Sequence, residues 1–197
     1  MNATLRWFAV FILVGCLARG AFADSLYAIS GSNGAASTLY RLDPTDGSVL
    51  ETIGATGFSH VTGIAFHPQT GTLYGVVSGM YDVNPRTQLI RIDTATGAGT
   101  LIGTTGHQMP DIAFAPDGAL YGWSQIPGGP FPAGLDALVS IDLVTGAATP
   151  IGGAEFYTAV TGLGIDPAGT AWMKTSQGGG TDSLFSVDLA TGLSVPD

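Results

Sequence analysis

Ser37 to Pro68 reads S-T-L-Y-R-L-D-P-T-D-G-S-V-L-E-T-I-G-A-T-G-F-S-H-V-T-G-I-A-F-H-P, and the pattern returns twice more in full and once in part. The Asp that ends its first apolar run is Asp43, then Asp93, Asp142 and Asp188, at steps of 50, 49 and 46 residues. The aromatic of the preceding run is Tyr27, Tyr74, Tyr121 and Trp172, at steps of 47, 47 and 51. A fixed period of this length means one supersecondary unit copied along the chain.

Each copy holds four short apolar segments, here called A to D. In one copy they are Ile112-Ala113-Phe114, Leu120-Tyr121-Gly122-Trp123, Leu138-Val139-Ser140-Ile141 and Thr149-Pro150-Ile151. All are too short for helices, and the alternation bounded by Gly, Pro and Asp marks strands. The A–B links are turn sequences: His67-Pro68-Gln69-Thr70-Gly71, Ala115-Pro116-Asp117-Gly118 and Asp166-Pro167-Ala168-Gly169. Pro presets φ for the turn and Gly supplies the positive φ at its end. The C–D links open with Asp43, Asp93, Asp142 and Asp188 and close with Gly47, Gly97, Gly146 and Gly192. There the carboxylate is suited to accept backbone N–H groups two residues on.

Strand C is apolar on both faces, as in Leu39, Tyr40, Leu42 and Leu89, Ile90, Ile92. A sheet buried on both sides needs a neighbour on each side. The fold class expected is therefore all-β, a β-propeller of four-stranded antiparallel blades stacked around an axis. The blade-like repeats run about 26–60, 61–107, 108–158 and 159–197. Fourteen strands are legible, against sixteen for a ring of four blades. The first blade lacks strand A, and only Leu193 to Asp197 remain for a last strand D. The chain thus reads as about 3.5 blades, an incomplete or open ring. It is either part of a longer propeller or an arc that closes by self-association.

Residues 1–23 differ from the rest. Arg6 follows a short polar start, Trp7 to Ala18 is almost wholly apolar, and Ala21-Phe22-Ala23 places small residues at a cleavage site. This is a secretory signal peptide, with no transmembrane span left after its removal. Secreted, periplasmic and cell-surface locations all fit. Leu13-Val14-Gly15-Cys16 offers the alternative of a lipoprotein anchored through Cys16.

Cutting after Ala23 leaves residues 24–197, 174 residues without cysteine. Disulfides and thiol chemistry are excluded from that domain. Its four cations, Arg41, Arg86, Arg91 and Lys174, face fifteen acids, for a net charge of −11. Nucleic acid is not an expected partner, since phosphates need clustered cations.

Leu39 to Leu50 resembles the blade repeat of quinoprotein-like and WD40-like propellers. The domain is similar to the secreted bacterial β-propeller repeat proteins of uncharacterised function, which often carry cell-surface sorting signals. The quinoprotein repeat continues into a Trp that docks neighbouring blades, whereas here Glu51-Thr52-Ile53 and Leu101-Ile102-Gly103 stand instead. The resemblance therefore implies the fold and an extracellular address, and no quinone cofactor.

In a meander, the A–B and C–D hairpins share one end and the B–C and D–A loops the other. The hairpins are short and repetitive. The B–C loops, Ser30–Thr38, Ser78–Gln88, Ser124–Ala137 and Thr175–Ser183, vary in length and composition, so recognition belongs there. A protein or polysaccharide is the expected partner of that face.

Asp111 stands where the other copies have Gly63 and Gly162, on the strand expected to line the central channel, with His60 and His107 just upstream of that strand in adjacent copies. Two imidazoles and a carboxylate suit a divalent metal, and a lactonase-like hydrolase using metal-activated water is the alternative function. The competing reading makes both histidines solvated loop residues and Asp111 a turn cap. No other cofactor is expected. Asp43, Asp93, Asp142 and Asp188 lack the dense spacing of a calcium loop and read as turn residues. Tyr27, Tyr74, Tyr121 and Trp172 read as packing between blades rather than a sugar platform. Arg41 and Arg91 are placed to pair with acids of a neighbouring blade. No G-x-S-x-G, H-E-x-x-H or Walker sequence occurs.

Overall fold

The computed structural model describes residues 25–30, 36–78, 87–125, 136–153, 160–175 and 182–196. Residues 1–23 with Cys16, read above as a signal segment, Arg86 and most of the B–C loops lie outside them.

Fifteen strands form four antiparallel sheets in chain order. The first holds β1 (Leu26–Ile29), β2 (Ala36–Leu42) and β3 (Val49–Ser59). The second holds β4 (Val61–Phe66), β5 (Leu73–Val77), β6 (Gln88–Ile92) and β7 (Gly99–Thr104). The third holds β8 (Ile112–Phe114), β9 (Leu120–Gln125), β10 (Asp136–Ile141) and β11 (Ala148–Pro150). The fourth holds β12 (Val160–Ile165), β13 (Ala171–Thr175), β14 (Ser183–Val187) and β15 (Ser194–Pro196). Every sheet is a meander and no described residue is helical. One expectation is corrected. The fourth sheet is complete, because Ser194–Pro196 pairs with β14 as its strand D, Ser186 opposite Val195. Among the described residues the first sheet has three strands and the other sheets four.

Local chemistry explains the hairpins. Asp43, Asp93, Asp142 and Asp188 each accept the amide two residues on at 2.7–2.8 Å through Oδ1. Gly47, Gly97, Gly146 and Gly192 close these turns with φ of 72–79°, donating their amides back to the same aspartates' carbonyls. Hydrogen bonds hold the carboxyls of Asp43, Asp142 and Asp188 below the usual range, from the Thr45 hydroxyl in the first case and from the Thr145 and Ala190 amides in the others.

The sheets stack face to face. Leu39 of the first packs with Val61, Leu73, Ile90 and Ile92 of the second. Val76 and Leu89 of the second pack with Met109 and with Ile112, Leu120 and Val139 of the third. Trp123 and Leu138 of the third pack with Val160, Ala171, Met173 and Val187 of the fourth. The first strands of the sheets meet along the inner side: β1, a strand B, on β4, then the A strands β4 on β8 and β8 on β12. Three seams therefore join four blades of a β-propeller. Among the described residues no such apolar cluster joins the fourth sheet to the first.

Glycines permit a second, peripheral contact. Each C–D hairpin lies against the D segment of the preceding sheet: Gly97 on Gly54, Gly146 on Gly103, Gly192 on Ile151. A Cβ on Gly97 would stand 2.5 Å from the Gly54 carbonyl oxygen. Gly47, in the first sheet of the described residues, has nothing within 4 Å of that point.

Arg41 departs from expectation. It pairs with Glu51 of its own sheet at 3.1 Å, because Arg41 and Glu51 are register partners on β2 and β3.

Candidate functional site

The B–C and D–A connections emerge at one end of the blades, opposite the Asp/Gly hairpins. Beneath them the ends of the strands supply small polar side chains. In the position two residues before the central leucine of strand C stand Ser37, Thr87 and Asp136, all buried. The facing ends of strand B carry Ser124 and Thr175, also buried. Ser37 Oγ accepts the Val61 amide at 3.1 Å, tying the first sheet to strand A of the second.

Asp136 is a buried carboxyl in this column, whose fourth member, Asp182, is exposed and paired with Lys174. The Asp136 side chain is 5% exposed, and Oδ2 has no hydrogen-bond partner among the described residues. Desolvation alone pushes its pKa up to about 7. The sequence reading missed this residue. The column Ser37, Thr87, Asp136, Asp182 holds two hydroxyls and two carboxyls, and only burial between sheets sets Asp136 apart.

The residues singled out from sequence lie as follows. Asp111 sits where strands A of the second, third and fourth sheets converge. Its Oδ1 accepts the Ile112 amide at 2.9 Å and its Oδ2 the Leu163 amide at 3.2 Å, across the third seam. Gly63 makes room for it, since a Cβ there would be 2.5 Å from Oδ1. Burial raises the Asp111 pKa, and the two amides pull against that rise. On the same side Thr62 Oγ1 donates to the Met109 carbonyl at 3.1 Å, linking the second and third sheets.

The two histidines are not equivalent. His107 follows Thr105-Gly106 as Phe58 follows Thr56-Gly57, and each amide donates to the threonine hydroxyl. His60 lies two residues further on, with φ of 58°, and its carbonyl accepts the Ser78 amide. His107 Nδ1 lies 3.0 Å from the fully buried Ser124 Oγ, and burial lowers its pKa, which favours the neutral ring. Because Ser124 is wholly enclosed, the pair anchors the segment and presents no nucleophile. His60, His107 and Asp111 do not form one donor set. Among the described residues no cluster of three or more His, Cys, Asp or Glu side chains is placed to hold a metal ion.

Three of the four residues of the aromatic column, Tyr27, Tyr74 and Tyr121, lie at the seams. Tyr27 meets Phe66 edge-on at 5.2 Å and Tyr74 meets Phe114 at 5.4 Å, each ring from the next sheet. Tyr121 packs against the cluster of the third seam. Trp172 is half-buried on the outer face of the fourth sheet.

No protein-family model matches the chain, and no curated protein matches it. Solved structures of similar fold include TolB from Acinetobacter baumannii, with TM-score 0.56 and 16% identity over 87% of this chain and 40% of that one. Kuenenia stuttgartiensis hydrazine synthase gives 0.51 and 17% identity over 81% and 49%. The Pseudomonas aeruginosa periplasmic gluconolactonase PpgL gives 0.50 and 20% identity over 82% and 49%. This chain spans less than half the length of each. At these identities the likeness concerns the fold, a β-propeller.

Proposed function

We propose that this protein is an exported, non-catalytic propeller module that binds a protein or polysaccharide through its B–C and D–A loop end. The observation that carries the reading is the employment of the polar groups at that end. Asp111 is committed to two backbone amides, His107 to Ser124, and Ser37 to the Val61 amide. These groups build the platform, and the loops above it, diverse in length and sequence, are left to recognise a partner. Residues 1–23 support export, and one structure of the same fold is a periplasmic protein.

The metal-assisted hydrolase reading needs His60, His107 and Asp111 to converge, whereas His107 is engaged by Ser124 and Asp111 by the Ile112 and Leu163 amides. The test is a glycan and surface-protein array probed with the purified chain, alongside lactone hydrolysis with and without added zinc or calcium. Selective retention that is lost when residues 126–135, between β9 and β10, are replaced by a short Gly-Ser loop supports binding. Metal-dependent turnover abolished by Asp111→Asn would overturn it.

A further inference from the structure

The repeat makes each exposed residue of the terminal sheets comparable with buried equivalents. Leu39, Leu89 and Leu138 occupy one column of strand C and are wholly buried against the following sheet. Leu184, next in that column, is 49% exposed. On the opposite face Leu73, Leu120 and Ala171 begin strand B and are at most 1% exposed, packed against the preceding sheet. Leu26, first in that column, is 45% exposed.

The register extends both faces. On the fourth sheet Leu184 is accompanied by Trp172 and by Val195, which lies opposite Ser186. A groove beside them is lined by Leu189, Leu193 and Val195. On the first sheet Leu26 pairs with Leu42 and Ala28 with Tyr40. Gly47, whose equivalents receive the D segment of a preceding sheet, is open. One polar residue interrupts the fourth face: Lys174 stands where Val76 and Trp123 stand, and its ammonium is neutralised by Asp182 at 2.7 Å. Its aliphatic stem remains available for packing.

We infer that these two faces are the complementary halves of a fourth seam, and that the occupant of each is a second copy of this chain joined head to tail. The argument is continuity with an interface already built three times: the outer face of one sheet seats the leucine column, and the inner face of the next receives it. The first sheet of a second copy presents that receiving face, with Leu26, Ala28, Tyr40 and Leu42. Contact of unlike faces makes the association heterologous, closing a ring when both pairs engage. This inference stands independently of what the loops bind.

The experiment is sedimentation equilibrium of the purified chain across micromolar concentrations, repeated with Leu184→Arg, with Leu26→Arg and with their mixture. Both substituted positions are half exposed, and circular dichroism checks that each variant keeps its fold. The parent is expected to reach twice the monomer mass or an even multiple of it, and each variant alone to stay monomeric. The mixture regains dimers, because each variant retains the face the other lacks. A monomeric parent, association that survives both substitutions, or a mixture without rescue would overturn the inference.

Discussion

Asp111 Oδ2 accepts the Leu163 amide at 3.2 Å, joining residues 52 positions apart across the third seam. A carboxyl in a column of glycines thus becomes a tie between sheets at the point where strands A converge.

Replacing that tie gives the first prediction. Asp111→Ala removes the acceptor and leaves a part-buried amide unsatisfied, at a cost of about 1–3 kcal/mol. Asp111→Asn keeps an acceptor oxygen and should lose less. Urea titration of both variants measures the difference. Equal stability of parent and alanine variant would deny the tie any structural role.

The second prediction concerns pH. The folded pKa of Asp136, about 7, lies above its unfolded value near 4. The folded state therefore holds the proton more tightly in that window, and stability falls as pH rises from about 4 through about 7. Asp111 acts in the same direction. Asp43, Asp142 and Asp188, with lowered values, act in the opposite sense and lose stability as pH falls below about 4. Thermal melting should show a maximum near pH 4–5. Asp136→Thr, which installs the Thr87 side chain of the second sheet, should flatten the alkaline descent and raise the melting temperature at pH 8 relative to the parent. An unchanged profile in that variant would place the titration elsewhere.

The third prediction separates two roles of glycine in one column. Gly47 and Gly146 share a positive φ, but only Gly146 lies against a neighbouring sheet. Gly47→Ala should cost about 1–2 kcal/mol for the backbone conformation alone. Gly146→Ala must also displace Gly103, for about 3 kcal/mol or more. Denaturant midpoints of the two variants test the order, and a reversal would contradict the seam geometry.

Legibility in the sequence followed the range of the interaction. The hairpins were readable because Asp43 and Gly47, like their copies, act within five residues. Burial of strand C on both faces announced stacking, since Leu89 and Ile90 point to opposite sides and both are apolar. The last strand was overlooked because Ser194–Pro196 is short and lacks β-branched periodicity, and only pairing with β14 makes it a strand. Asp111 stood out against Gly63 and Gly162, but its partner Leu163 belongs to another repeat and no local pattern names it. Asp136 was hidden for the same reason: burial between sheets is a tertiary property, and beside the variable B–C loop its column is hard to align. His60 and His107 looked equivalent because the segments ahead of strand A differ in composition. The shared Thr-Gly turn aligns His107 with Phe58.

The stacking of the sheets in chain order underlies every statement about seams, ties and faces. Methyl cross-relaxation NMR measures it directly. Leu138 should show contacts with Val160 and Met173, and Leu89 with Ile112 and Val139, while Leu39 reaches Val61 and Ile90. Cross-peaks confined within single sheets, or linking the first sheet to the third in place of the second, would contradict it.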